Sequence, residues 1–349
     1  MTVCALTTAG SNSPISNAKR LRTEERWEIM DFMVGRIAVG LLVIASTAIL
    51  TGLHAQSPAA QSPGYTFQVQ VNEVTLPFRA SGTDGRPVTD LHQADVCLRD
   101  NGKEPARILS FSHLTGQPIH IGILLDVSAS IEGSSLYLGQ DIASTFAADF
   151  MHPPSDQAFA MKFDFDQKFL SGWISNPVLM ESAISSAGNE RNSRMGGTAI
   201  YDALYRGIRD QIMKQTAPGQ GSNAILLFSD GDDNASHARF TDVIDICQRT
   251  NTAIYVFSTN PKSAFNAGEK SLRALVAQSG GRIFYDRDPE AIRYDLHLIS
   301  DDLRDYYLMV YRPASLKPNG AFHRIRLQSM RRGVDINARS GYFAPQPVH

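Results

Sequence analysis

The sequence has little cysteine and almost no excess of charge. Its three cysteines, Cys4, Cys97 and Cys247, are scattered over 349 residues, whereas disulfide frameworks and zinc sites need several cysteines at close spacing. We therefore expect Cys97 and Cys247 to be two buried thiols and not the ends of a long-range bridge. The formal net charge is -2, so nucleic acid binding, which needs a basic patch or stripe, is not expected.

Signatures of catalysis are absent as well. The sequence has no Gly-x-Ser-x-Gly elbow, no His-Glu-x-x-His motif and no Walker-type glycine-rich loop. A serine nucleophile would need a base oriented by a third group, and no histidine lies in a recognisable signature. We predict that the protein is not an enzyme. The less favoured alternative is Mg²⁺-assisted hydrolysis, because a bound cation with an open position can polarise a carbonyl or phosphoryl oxygen.

An uncharged run lies near the N-terminus. Residues 37–53 read IAVGLLVIASTAILTGL, with Arg36 before them and small or polar residues after them. This order is typical of a secretory signal, although a run of this length is also at the short limit for a membrane-spanning helix. We predict cleavage near Ala55, with an uncleaved anchor and a buried core helix as alternatives. A cleaved signal or an uncleaved anchor, at about residues 30–55, would export the protein. It would then be secreted, periplasmic or part of the cell envelope.

Composition and periodicity divide the chain into five parts. They are a polar leader with the signal or anchor (1–55), a Gln/Ser/Pro/Ala linker (56–64), an N-terminal β module (65–115), an α/β domain (117–304) and C-terminal strands (305–349). The two β parts consist of short strands bounded by glycine and proline turns. Each has too few strands to bury a core alone, so we expect the C-terminal strands to pair with the N-terminal module.

The central part predicts an α/β fold. His120 to Leu125 is a continuous apolar run, as in a strand that is covered on both faces. Predicted helices cover about residues 135–150, 178–186, 199–214, 241–250, 270–278 and 289–303, and predicted strands cover 157–164, 168–173, 223–229, 253–258 and 282–285. This alternation indicates βα units and a Rossmann-like, doubly wound, mainly parallel sheet, flanked by the small β module built from the N- and C-terminal segments.

Oxygen-bearing side chains occur in three loops at predicted strand ends. Asp126, Ser128 and Ser130 stand at alternate positions after the first buried strand, Thr198 follows Gly196 and Gly197, and Asp230 follows the strand AILLF. In open α/β sheets, ligands bind beyond the carboxyl ends of the strands. Each residue alone has an ordinary explanation as a helix cap or a turn. Their occurrence together predicts one shared site.

The chemistry of this set points to a hard cation. Two carboxylates and three hydroxyls form an all-oxygen set, which suits Mg²⁺ with several retained waters, or otherwise Mn²⁺ or Ca²⁺. Asp230 and Asp232 have part of the pattern of a calcium loop, but the later acidic residue is missing. Asp164 and Asp166 have the spacing of a phosphoryl-transfer pair, and we predict that they form a hairpin turn instead.

The same five residues resemble the metal-ion-dependent adhesion site of the von Willebrand factor type A domain. That site has the pattern Asp-x-Ser-x-Ser, then a threonine, then an aspartate, which Asp126, Ser128, Ser130, Thr198 and Asp230 match in full. The resemblance extends over the α/β domain. It implies that the serines and the threonine approach the cation and that the aspartates act partly through water. It also implies that a carboxylate from a partner protein fills an open coordination position.

The flanking segments carry a second resemblance. Residues 88–96, Asp100–Gly102 and the C-terminal stretch from Tyr306 to Tyr342 are similar to bacterial secreted VWFA-related proteins, known largely from acidobacterial genomes. This resemblance implies export but no defined activity. We therefore expect an exported, adhesion-type protein whose partner protein offers an acidic residue to the metal, with membrane contact only through an uncleaved N-terminal segment. A structural or assembly protein of the cell envelope with a silent metal site is the alternative.

Overall fold

The computed structural model describes residues 73–83, 85–131, 133–188, 197–215 and 221–346. These residues belong to one compact unit, Phe67–His349. Several features of the sequence lie outside the described residues, namely the leader and signal segment, the linker, the first residues of the N-terminal module, Cys4 and Gly196. Among the helices that are described, none combines the length and the apolar composition of a membrane span.

Thirteen strands occur in the described part of the chain. They are β1 (Val74–Gly82), β2 (Val96–Asp100), β3 (Arg107–Leu114), β4 (Ile119–Asp126), β5 (Gln157–Phe163), β6 (Gln167–Phe169), β7 (Ser222–Ser229), β8 (Thr252–Ser258), β9 (Ile283–Phe284), β10 (Tyr306–Arg312), β11 (Phe322–Ser329), β12 (Val334–Ala338) and β13 (Gly341–Phe343).

The α-helices of the described residues fall between β4 and β10, and one 3-10 helix, Gln93–Asp95, precedes β2. The α-helices are α1 (Gly133–Asp149), α2 (Pro177–Ser185), α3 (Ile200–Gly207), α4 (Met213–Gln215), α5 (Phe240–Thr250), α6 (Ala267–Ser279) and α7 (Pro289–Arg304). Helices α2 and α7 each begin at a proline, after Asn176 and Asp288, whose side chains accept backbone N–H bonds of the first turn. Proline is favoured there because the first helical N–H has no partner within the helix.

A six-stranded sheet forms the centre of the α/β domain, in the order β6-β5-β4-β7-β8-β9. Its strands are parallel except for β6, which pairs antiparallel with β5. Helices α1, α2 and α7 pack on one face, and α3, α5 and α6 pack on the other. Because β4, β5, β7 and β8 are covered on both sides, nearly all of their residues are buried, as the continuous apolar runs predict. The predicted fold class is confirmed.

The remaining strands form two antiparallel sheets that pack against each other. One has the order β12-β1-β10-β3 and the other the order β13-β11-β2, so each combines strands from the two ends of the described chain. The core between them includes Phe78 and Tyr307, whose rings stack with centroids 5.2 Å apart. The prediction that the C-terminal strands complete the N-terminal module is confirmed. The exact limits proposed for the separate domains stay a prediction.

The chain enters and leaves the α/β domain at one place. β3 leads into β4 and α7 leads into β10, and the register places Leu114 opposite Tyr306. At this junction, Arg304 forms an ion pair with the fully buried Asp156, with 2.6 Å between Nη2 and Oδ2. Asp156 also accepts a hydrogen bond from the backbone N–H of Ile119 at 2.9 Å. The first strand and the last helix of the domain are therefore held together.

Three details differ from the sequence-based expectations. The edge strand ends at Phe169 and not near residue 173, because Leu170 and Ser171 both donate to the carbonyl of Ala160, which interrupts the regular ladder. The helix expected over 199–214 contains a π turn, Ile208–Ile212, between α3 and α4. An additional strand, β13, pairs with β11.

Both described cysteines are unpaired, but only one is fully buried. Cys247 lies on α5 with 2% of its surface exposed, and burial raises the pKa of its thiol well above the ordinary range. Cys97 lies on β2 and is only half-buried. The expectation of a buried thiol therefore holds for Cys247 and only in part for Cys97.

Candidate cation-binding site

The loop after β4 is built around Asp126. This residue is 2% exposed, and its Oδ1 accepts a hydrogen bond from the backbone N–H of Ser128 at 2.9 Å. Such a bond two residues ahead is the usual way in which an aspartate turns the chain behind it. The turn brings the hydroxyls of Ser128 and Ser130 to 3.1 Å from each other, with Ser128 buried and Ser130 exposed.

Ser229 joins this loop to the loop after β7. Its Oγ donates to Asp126 Oδ2 at 2.7 Å and accepts a hydrogen bond from the N–H of Gly231 at 3.0 Å. Both carboxylate oxygens of Asp126 are thus held by the protein. The sequence analysis did not single out Ser229 as a site residue. The only available signal was its place at the end of β7, directly before Asp230.

Asp230 is half-buried at the tip of the loop after β7. Its Oδ1 accepts from the N–H of Asp232 at 3.1 Å, and its carbonyl accepts from Asn260 Nδ2 at 2.6 Å. The next residue, Gly231, has a φ of +83°, and a Cβ there would lie 2.4 Å from the carbonyl oxygen of Gly268. Only glycine allows this backbone conformation and this close approach together.

Thr198 belongs to the same cluster through the loop that carries Asp230. It is buried, its N–H donates to Asn234 Oδ1 at 2.8 Å, and its carbonyl accepts from the N–H groups of Asn234 and Ala235 at 3.0 and 3.1 Å. Asp233 accepts from the N–H of Tyr201 at 3.0 Å, within the first turn of α3. Asn234 and Asp233 were not predicted as site residues, because single polar residues in a loop have no distinctive spacing.

The structure thus links all five predicted residues by short chains of hydrogen bonds. Asp126, Ser128 and Ser130 are in contact, Ser229 connects them to the loop of Asp230, and Asn234 connects that loop to Thr198. The Asp164–Asp166 segment is a tight turn between β5 and β6, as expected, with the N–H of Asp166 bonded to Asp164 Oδ1 at 2.9 Å. It is not part of this network of side chains.

The electrostatics of the cluster suit a bound cation. Burial raises the pKa of Asp126 to about 6, and the negative charge of Asp230 adds to this effect, while hydrogen bonds from Ser128 and Ser229 oppose it. A nearby cation would stabilise the ionised carboxylate. The described part of the chain contains no cluster of three or more His, Cys, Asp or Glu side chains that could hold a metal ion. The present set has two such side chains, Asp126 and Asp230. Hydroxyls and water would have to complete the coordination, which Mg²⁺ accepts.

A family model, the von Willebrand factor type A domain, matches residues 120–297, about half of the chain. The chain belongs to this family. Domains of the family commonly mediate metal-dependent protein interactions. No match was found among curated proteins.

Several solved structures are similar to part of this chain. The conserved hypothetical protein BatB from Bacteroides thetaiotaomicron has 15% identity and a TM-score of 0.43, covering 53% of this chain and 98% of BatB. An aerotolerance-related membrane protein from Bacteroides fragilis has 16% identity and a TM-score of 0.41, covering 52% of this chain and 99% of that one. Proximal thread matrix protein 1 from the mussel byssus has zinc in its metal-ion-dependent adhesion site (MIDAS) motif. It has 14% identity and a TM-score of 0.45. The match covers 59% of this chain and 50% of the mussel protein, so this chain spans about half the length of the mussel protein.

Proposed function

We propose that this type A domain protein is exported and binds a partner protein through a divalent cation. The cation is Mg²⁺, or Mn²⁺ or Ca²⁺ in its place. Its ligands are the predicted set, Asp126, Ser128, Ser130, Thr198 and Asp230, with the aspartates acting partly through water. The partner contributes an acidic residue that completes the coordination.

The observation that carries the proposal is the spacing of the two serine hydroxyls. Neighbouring oxygens around an octahedral Mg²⁺ with bonds of 2.0–2.1 Å lie about 3 Å apart. Ser128 Oγ and Ser130 Oγ lie 3.1 Å apart, so both fit adjacent positions on one ion. Asp126 has both oxygens engaged by Ser128 and Ser229, which suits a carboxylate that supplies charge and orientation and reaches the ion through water.

A catalytic reading of the same loop has less support. In the described residues, the hydroxyl of Ser128 has the hydroxyl of Ser130 as its partner and no histidine. A serine nucleophile would therefore lack a histidine as its general base. We propose a binding role without turnover.

Calorimetry with Mg²⁺, Mn²⁺ and Ca²⁺ tests the site. The parent protein is expected to bind one ion, and Asp126→Ala is expected to weaken binding at least tenfold because it removes the buried charge and the turn around it. Asp141→Ala, at an exposed position on α1, serves as the matched control and should bind like the parent. No heat of binding at millimolar Mg²⁺ in the parent would support the structural alternative with a silent site.

The partner is tested by pull-down from the native envelope fraction. Capture should disappear with EDTA, return with Mg²⁺ or Mn²⁺, and be absent for Asp126→Ala. A partner that binds Asp126→Ala as tightly as the parent would rule out the adhesion-site mechanism, even if the ion itself binds.

Export is tested separately by fractionating cells of the native host and sequencing the N-terminus of the protein recovered from each fraction. A mature N-terminus near residue 56 is expected, from cleavage near Ala55. An intact N-terminus in the cytosolic fraction would contradict export and would leave the cation site unaffected.

A further inference from the structure

A cavity of about 570 Å³ lies between the outer face of the β12-β1-β10-β3 sheet and the α/β domain. The sheet contributes Pro77, Leu308 and Val310 to its walls, and the domain contributes residues at the starts of β7 and β8 and the ends of α5 and α6. Pockets for small molecules commonly have 300–1,000 Å³. The cavity borders the start of β7, whereas the cation site borders its end, so the two are roughly 20 Å apart along the strands.

The main polar feature of the cavity is a buried arginine without an acidic partner. Arg339 is 8% exposed and lines the cavity. Its Nη2 donates to the carbonyl of Thr75 at 2.7 Å, but its Nε is buried and has no hydrogen-bond partner. Burial lowers the pKa of the guanidinium, and the nearby hydroxyls of Tyr311 and Tyr342 oppose this effect. Within the described residues, no carboxylate forms an ion pair with it.

Such an arrangement is unusual, because buried charges in proteins are normally paired and fully hydrogen-bonded. The other arginines on this cavity follow that rule more closely. Arg79 donates Nε to the carbonyl of Asp302 at 2.7 Å and Nη1 to the carbonyl of Gly280 at 2.9 Å. Arg249, also on the wall, forms an ion pair with Asp245 at 2.9 Å. Among the three arginines of this cavity, Arg339 is therefore the one whose Nε–H lacks a hydrogen-bond partner in the described residues.

We propose that this cavity binds a small organic acid, with the carboxylate on Arg339 and the apolar body against Pro77, Leu308 and Val310. A carboxylate in the cavity would neutralise the guanidinium, since the planar fork of arginine matches a carboxylate. A guanidinium without a carboxylate partner, close to Pro77, Leu308 and Val310, suits a monoanion with a hydrocarbon body. A polyanion such as a nucleotide would need more free cations and fewer apolar neighbours.

Calorimetry on the full-length protein with decanoate as the probe, and decanol as an uncharged probe of the same length, tests the proposal. Decanoate is expected to bind at one site per chain, and decanol at least tenfold more weakly. Arg339→Met should weaken decanoate binding at least tenfold and leave decanol binding unchanged. Arg293→Met is the matched control, because Arg293 lies outside the cavity on α7 and pairs with Asp149 at 2.8 Å, and it should bind decanoate like the parent.

Leu308→Trp provides a second variant that keeps all charges in place. The larger ring fills the apolar part of the cavity, so both probes should bind at least tenfold more weakly, which would locate the site even if Arg339→Met failed to fold. Equal affinity of the parent for decanoate and decanol, no binding of decanoate, or unchanged decanoate binding by Leu308→Trp would each overturn the proposal. Binding should be unaffected by EDTA, which separates it from the cation site.

Discussion

Ser229 is outside the predicted ligand set, yet its hydroxyl joins the two loops that carry most of that set. It donates to Asp126 Oδ2 at 2.7 Å and accepts from Gly231 at 3.0 Å. Hydrogen bonds to charged groups contribute about 1.5–3 kcal/mol, and leaving a buried partner unsatisfied has a similar cost. The position of Asp126 therefore depends on a residue outside the proposed ligand set.

We expect Ser229→Ala to lower the free energy of unfolding by roughly 2 kcal/mol and to weaken Mg²⁺ binding several-fold. Urea unfolding and calorimetry measure the two effects. Ser315→Ala, at an exposed serine outside the site, should change neither. Parent-like affinity for Mg²⁺ in Ser229→Ala would show that the bond to Asp126 Oδ2 does not organise the site.

A second prediction concerns Asp295, on α7. It is 5% exposed, its Oδ2 has no hydrogen-bond partner, and burial, together with the negative charge of Asp286, raises its pKa to about 7. An unfolded aspartate ionises near pH 3.9. Between these values the folded protein keeps a proton that the unfolded chain releases, so the contribution of Asp295 to stability falls as pH rises from about 4 to 7 and stays low above.

Asp295→Asn remains neutral at every pH. We therefore expect it to be more stable than the parent at pH 8, by on the order of 2 kcal/mol, and to show no such gain at pH 4. Urea unfolding at the two pH values measures the difference. A gain of equal size at both would mean that packing, and not ionisation, causes it.

The proposed ligand set follows from the sequence, whereas the residues that hold it in place in the structure do not. Asp126, Ser128 and Ser130 stand at fixed alternate spacing after an apolar strand, and that spacing carries information. Ser229 and Asn234 act through contacts between segments distant in the chain, and ordinary polar residues show no pattern that would reveal such contacts.

At the scale of secondary-structure elements, the loop between β7 and α5 depends on the backbone of Gly231. We expect Gly231→Ala to lower the free energy of unfolding by roughly 3 kcal/mol, because the left-handed conformation costs a non-glycine residue about 1–2 kcal/mol and the clash with Gly268 adds to it. Cation affinity should fall as well, since Asp230 is the preceding residue. Thermal or urea unfolding and calorimetry provide the measurements.

Gly102→Ala is the control for this prediction. Gly102 has a similar φ of +78°, but a Cβ there would meet nothing within 4 Å, so this variant should lose only about 1–2 kcal/mol. Equal losses in the two variants would show that the conformation alone matters and that the contact with Gly268 does not.

Long, periodic elements were predicted well, and irregular ones were not. The buried strands of the central sheet are apolar throughout, which made them recognisable. The early end of β6 follows from two N–H groups sharing the carbonyl of Ala160, and the π turn at Ile208–Ile212 keeps both of these isoleucines buried. Neither arrangement leaves a periodic signal in the sequence, because each depends on how one segment meets another.

At the scale of the whole molecule, β10 lies between β1 and β3 and pairs with both. A chain that ends at Asp305 would lose this central strand, with the buried side chains of Tyr307, Met309 and Tyr311, and also β11, β12 and β13. We expect β1 and β3 to become unprotected, so that trypsin cleaves rapidly after Arg79 and Arg107, while the α/β domain stays resistant. Limited proteolysis with mass spectrometry, compared with the full-length chain, measures this. Equal protection of both arginines in the two chains would show that the N-terminal strands fold without the C-terminal strands β10 to β13.

The adjacent entry and exit of the α/β domain, at Leu114 and Tyr306, have a mechanical consequence. A pulling force between the proposed partner and the flanking β sheets would enter the domain at the proposed cation site and leave it through two neighbouring connections. Because the proposed site lies beyond the end of β4 and both connections adjoin its start, the force would run along the strands and would not open the ladder one strand at a time. The same force would also load the junction, where Arg304 pairs with Asp156 and β3 pairs with β10.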